Sequence, residues 1–175
     1  MRAYKFLSGG RRAPITGFRW PESGWVEANG PLERCRCGVH ACRVEHLPHW
    51  IGPELWEVEL DGEVIEAADA VIASRGRLVR RVDEWSAGAA KDFAETCARR
   101  ANALASGAPS AAERAADAAV SAAQGWVSAA AYIAAAVAGE AGSGSRRGAA
   151  YQHHFLAERA RQARWLHDRL GLTDT

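Results

Sequence analysis

Residues 35–50 read CRCGVHACRVEHLPHW and bring together Cys35, Cys37, His40, Cys42, His46 and His49. Thiolate and imidazole are the usual zinc ligands, and a structural zinc takes four of them. Cys35, His40, Cys42 and His49 form the candidate metal set, with zinc the candidate ion. The spacing C-x-C-x2-H-x-C is tighter than the usual pair of separated knuckles, which counts against a site made only of Cys35, Cys37, His40 and Cys42. The same residues also suit nucleophilic chemistry. Arg34, Arg36 and Arg43 flank the thiols and would favour a thiolate, and His40 would serve as the base beside Cys42. A third reading is structural: in GVHAC, Val39 and Ala41 alternate with His40 and Cys42, as on a strand with a buried face. The sequence leaves all three open.

A second constellation is acidic. ELWEVEL alternates, with Trp56, Val58 and Leu60 on one face and Glu57 and Glu59 on the other. Paired carboxylates can do acid/base work; on a half-buried strand they also form an ordinary solvated face. Trp20, Trp25, Trp50 and Trp56 cluster around the Cys/His stretch, and Trp20 and Trp50 are candidate walls of a pocket for a planar ligand. Arg75, Arg77, Arg80 and Arg81 form a local basic run suited to phosphate, yet Asp69, Asp83 and Glu84 lie nearby and fit an ion-paired surface. His153 and His154 precede Glu158 without a third ligand close in sequence. The chain has no G-x-G-x-x-G, P-loop, G-x-S-x-G or H-E-x-x-H motif.

The elements that must position these residues change character near residue 86. Residues 1–86 hold five of the six prolines, five of the seven tryptophans and eight of the 38 alanines. AYKFL, WVEA and ELWEVEL predict strands. Asp61-Gly62 predicts a hairpin turn into EVIE, and Arg75-Gly76 a break between strands DAVIAS and RLVRRV. Beyond residue 86 the alanine-rich sequence predicts three or four helices. One is capped by Asp83 and runs to about Ser106, with Trp85, Phe93 and Cys97 in its apolar stripe. Gly107 and Pro109 end it, and Ser110 with Glu113 forms a capping box for the next. That tract runs to about Ala138, bent or split at Gly125. GEAGSGSRRG predicts a loop, and the last helix covers about Ala149 to Leu170, stopping at Gly171.

These elements predict one α+β domain over residues 1–175. A small, mostly antiparallel sheet lies in residues 1–82, and residues 83–175 supply helices that cover or adjoin it. The 22 basic and 21 acidic residues leave a net charge of +1, which argues against a dominant polyanion-binding role and gives no strong nucleic-acid signal. Only Lys5 and Lys91 among the basic residues are lysine. Between Asp117 and Glu140 lie 22 uncharged residues, mostly alanine, too weakly apolar for a membrane span. No signal peptide is legible, and clustered cysteines do not look like a disulfide framework, so the expectation is a reduced, cytoplasmic protein with no membrane association. The alanine-rich helices would allow a homo-oligomer.

The order AYKFL, GFRWP, WVEA, GVHAC, LPHW, ELWEVELDGEV and RGRLVRRV resembles an uncharacterised bacterial family with GFxWP and GVHAC motifs followed by Ala-rich helices. The resemblance implies no established activity. By position it draws attention to Tyr4, Lys5, Gly17, Phe18, Trp20, Cys35, Gly38, His40 and Cys42, with Cys37 a local addition. A looser fold-level similarity is to ADP-ribosyltransferase-like proteins, with Tyr4/Lys5, His40 and the pair Glu57/Glu59 in comparable order. The resulting expectation is an enzyme of unknown reaction acting on a nucleotide or other small molecule. His40, Cys42, Glu57 and Glu59 would be its catalytic candidates, and Tyr4, Lys5, Trp20 and Trp50 its ligand-binding ones. The alternatives are a non-enzymatic protein-interaction module and a metal-stabilised domain.

Overall fold

A computed structural model of the chain describes residues 1–106, 109–144 and 148–173. The chain is α+β, an antiparallel five-stranded sheet followed by four helices among the described residues. It divides into two compact units, Met1–Trp85 with the residues from Leu170 onward, and Ser86–Arg169.

The sheet begins with β1 (Arg2–Leu7), which carries apolar residues on both faces, Ala3 and Leu7 on one and Tyr4 and Phe6 on the other. Such a strand must be covered on both sides, and all four residues are buried. The remaining strands are β2 (Val26–Glu27), β3 (Val39–Ala41), β4 (Glu54–Ala67) and β5 (Ala70–Arg81). β4 lies between β1 and β5, and both β2 and β3 pair with β5. Ile72 pairs with Ile65 of β4 and His40 of β3, so β3 takes the β5 edge that β4 leaves free. Tyr4 then exchanges two backbone hydrogen bonds with Cys42, of 2.8 and 2.7 Å. That bridge returns the chain after β3 to β1 and closes the sheet into a narrow ring. Ala3, Leu7, Trp20, Val39, Ala41, Val58, Leu60, Val71, Ala73 and Leu78 form one core cluster in this unit.

The expected hairpin at Asp61-Gly62 is corrected. β4 runs through it, and Gly62 (φ 79°) sits where the register with β5 shifts between Asp61 and Val64. A glycine at positive φ serves a bulge as well as a turn. The turn falls instead at Ala68-Asp69, between paired Ala67 and Ala70. Arg75-Gly76 likewise lies inside one continuous strand. A Cβ on Gly76 would meet Val39 Cγ1 at 2.7 Å and Leu60 Cδ2 at 3.0 Å, so this glycine allows close packing rather than a break.

In the helical unit, α1 (Ala87–Ala105) is capped by Ser86, whose Oγ accepts from the Ala89 N–H at 3.2 Å. Asp83 is therefore not the cap. Trp85 is not part of the helical stripe; it belongs to the sheet unit, donates Nε1–H to Gly52 O at 2.9 Å and packs edge-on against Phe6. The predicted capping box at Ser110 and the stop at Gly107 lie outside the described residues and side chains. α2 (Pro109–Ala123) and α3 (Val127–Ser143) are separated at Gly125, where φ is 74°. α3 continues through Gly139–Ser143, where a loop was expected. Gly139 and Gly142 are there because α4 (Ala149–Leu170) presses rings onto them: a Cβ would fall 2.6 Å from Tyr151 and 2.1 Å from His154. Buried alanines of α1, α2 and α3 let these helices approach closely, and Phe93 is buried against Trp165. Among the described residues, no helix is long and apolar enough to cross a membrane.

Candidate functional site

The Cys/His stretch folds as a tight loop leading into β3. Glu33 and Cys37 exchange backbone hydrogen bonds of 2.9 Å, and Cys35 projects at the apex with φ 65°, its side chain exposed. His40 follows on β3 and turns its ring back onto this loop. Its Nε2 accepts from the Cys35 N–H at 3.1 Å, and its Nδ1 lies 2.9 Å from Gly38 O. A backbone N–H can only donate, so Nε2 carries no proton and Nδ1–H is the donor to Gly38 O. Burial lowers the His40 pKa from its ordinary value; the bond to Gly38 O opposes this, and the Lys5 and Arg34 charges reinforce it. His40 is thus a neutral ring with both nitrogens spent on backbone. The loop needs Gly38, because φ is 131° and a Cβ would fall 2.2 Å from Ile72 Cγ2.

Cys42 is buried. Its Sγ–H donates to Tyr4 O at 3.4 Å, and burial pushes the thiol pKa up to about 12, against the opposing pull of Lys5. At neutral pH it is a core thiol rather than a thiolate. The candidate metal set is not gathered: Cys35 and His49 are exposed, Cys42 is buried, and the His40 nitrogens are engaged. Among the described residues, no three His, Cys, Asp or Glu side chains converge as metal ligands.

The two glutamates do share a strand face, but each is neutralised across the sheet. Glu57 is buried, with Arg2 at 2.7 Å and Arg80 at 2.8 Å; Glu59 meets Arg77 at 2.6 Å. Register imposes this ladder, since Glu57, Glu59 and Asp61 pair with Arg80, Arg77 and Arg75. Ion pairs occupy the whole basic run, Arg75, Arg77, Arg80 and Arg81, which the sequence offers to phosphate. Trp25 packs under Arg75 and Arg77, 4.7 and 5.0 Å from its ring. Trp50 is tied by its indole N–H to Asp69 O at 2.7 Å, beside the Arg34–Asp69 ion pair. Tyr4 is held at its hydroxyl, which accepts from the Thr173 N–H at 3.0 Å.

Lys5 differs from all of these. It alternates with Ala3 and Leu7 on the core-facing side of β1. Its ammonium donates to His40 O at 2.5 Å and lies 5.7 Å from the centre of the Trp20 ring. Among the described residues it has no carboxylate partner. Burial lowers its pKa to about 8 from an ordinary 10.5, with nearby Cys42 acting the other way. Trp20 is 3% exposed, and its Nε1–H has no hydrogen-bond partner among the described residues. A low-pKa amine and an unpaired indole donor thus stand side by side at the edge of the core, joined through His40 to the Cys35–Gly38 loop. The signal for this was in AYKFL, which is apolar on both faces except at Lys5.

Residues 1–90 match the model of a family described as a domain of unknown function, DUF7666. The chain belongs to that family. The match spans just over half of its 175 residues and takes in every strand and the whole Lys5–Trp20–His40 neighbourhood. Comparisons with curated proteins and with solved structures give no match.

Proposed function

We propose that the sheet unit is a small-molecule-binding module in which Lys5 is the recognition group, Trp20 its wall and second donor, and His40 a positioning residue. The observation that carries this is the Lys5 amine, held against the core with a single backbone acceptor and no counter-ion among the described residues. Lys5 is half-buried as a residue, and an ammonium withdrawn from water seldom lacks a paired charge; perturbed amines concentrate at functional sites. A protonated Lys5 has further N–H bonds to give and the Trp20 indole has one. Their preferred ligand is a small molecule bearing a carboxylate or another strong acceptor. His40, Cys42, Glu57 and Glu59 serve this reading as structure, and the E-x-E pair contributes nothing to it. A bound acid should raise the melting temperature of the wild-type chain and leave a Lys5→Met variant unmoved in a thermal-shift screen of small carboxylates. Equal stabilisation of both proteins would remove Lys5 from the site.

The helical unit favours a second reading, protein interaction, through its exposed Trp126 and Tyr132, which are 60% and 54% accessible. Light scattering across a concentration series checks the simplest form of it, self-association.

A further inference from the structure

The segment joining β1 to β2 narrows into a hairpin-like loop. Ser8 bridges Arg12, and Arg12 in turn faces Arg19 across the neck. Beyond the neck the Ala13 N–H donates to Phe18 O at 2.8 Å, and the Gly17 N–H to Ala13 O at 2.9 Å. These bonds hold up a tip on which Ile15 is 85% exposed and Phe18 46%. The base is anchored by Trp20, a core residue against which Phe18 packs edge-on at 6.1 Å.

Arg12 and Arg19 are both exposed, and like charges directly opposite on paired segments repel. Each of the nine other arginines in residues 1–85 has a carboxylate within ion-pair distance. Arg12 and Arg19 have no such partner among the described residues. The unit therefore leaves two cations uncompensated at one place, directly behind its most exposed aliphatic side chain.

We propose that this loop seats on an anionic lipid bilayer surface, with Ile15 and Phe18 entering the boundary between headgroups and acyl chains and Arg12 and Arg19 meeting lipid phosphates. The depth order matches that of an interfacial anchor, apolar groups outermost and cations one step behind. Nucleic acid would satisfy the arginines and leave Ile15 in water. An acidic protein is the competing occupant. The proposal requires no spanning helix and is independent of the Lys5 site.

The test is co-sedimentation of the full chain with vesicles of phosphatidylcholine containing about one-third phosphatidylglycerol, against phosphatidylcholine alone. The comparison uses an Arg12→Ala/Arg19→Ala double variant and Ile15→Asn. These side chains are exposed, and an unchanged melting temperature establishes that each variant is folded. Wild type should bind the anionic vesicles, less at high salt. At about fivefold per arginine, the double variant should lose about 25-fold in affinity. Ile15→Asn should lose about tenfold. Absence of wild-type binding to anionic vesicles, or equal binding by the double variant, overturns the proposal. Retention on immobilised poly-glutamate with the same dependence on Arg12 and Arg19, but no vesicle binding, assigns the loop to an acidic protein instead.

Discussion

Burial lowers the pKa of both Lys5 and His40, and each gives a measurable slope in a different pH range. The Lys5 amine titrates at about 8 when folded and near 10.5 when unfolded. Between those values the unfolded chain holds the extra proton, so this group makes stability rise as pH climbs from about 8 toward 10.5. At neutral pH it costs stability. A Lys5→Met variant should therefore melt higher than wild type at pH 7, by roughly 2–4 °C, and should lack the alkaline rise; a lower melting point would show that the bond to His40 O outweighs the desolvation. Its amine should also be the more reactive of the chain's two lysines. Lys91 is exposed and lies 3.9 Å from Glu95, which makes it an internal control in the same labelling reaction. Brief acylation at pH 8 followed by peptide mass spectrometry should show Lys5 modified ahead of Lys91. The lowered His40 pKa has an acid-side consequence. Its contribution is complete above about pH 6.5 and is lost as pH falls toward the lower folded value, because protonating Nε2 breaks the bond from the Cys35 N–H. His40→Ala should cost about 1–3 kcal/mol and flatten that acid loss, as chemical denaturation across the pH range would show.

The β-bulge at Gly62 and the cap at Ser86 explain where sequence and structure part. A turn and a bulge draw on the same positive-φ glycine, so Asp61-Gly62 looks alike in either role; only the partner strand decides, and β5 pairs with both sides of it. Ser86 over Asp83 is a matter of three residues, settled by Trp85 turning into the sheet unit. By contrast, the strand at AYKFL, the opposite faces of Trp56 and Glu57, and the split at Gly125 follow from alternation and from glycine, which are local and therefore legible. The candidate residues were legible as a neighbourhood, but their partners were not. Composition marks Cys35 to His49 as reactive, while register turns Glu57 and Glu59 toward arginines more than fifteen residues away, which no local pattern reveals. Replacing Gly38 by alanine should cost at least about 2 kcal/mol, since both its φ and its distance to Ile72 forbid a side chain. Ser86→Ala should cost about 1 kcal/mol through the lost α1 cap. Urea unfolding measures both.

The four cysteines divide the chain into two readouts. Cys35 is exposed and Cys37 half-buried in the sheet unit, whereas Cys42 and Cys97 are buried, one in each unit. Burial also holds both inner thiols near pKa 12. A thiol reagent should therefore modify Cys35 and Cys37 in the native protein, and Cys42 and Cys97 only as their units open; rapid native labelling of either would contradict the packing. Following the last two through a denaturant series tells whether the units open at one midpoint or two. The Tyr4–Cys42 bridge has its own consequence for how copies of this protein coexist at high concentration. An unpaired strand edge is a template on which a neighbouring chain can add a strand and start an aggregate. By joining the end of β3 back to β1, the bridge pairs the middle of the β1 edge that faces away from β4. Among the described residues no strand pairs with the β1-side edge of β4 beyond its pairing with β1, and there Glu63 and Glu66, both exposed, flank Val64 and Ile65. Charge guards that open stretch.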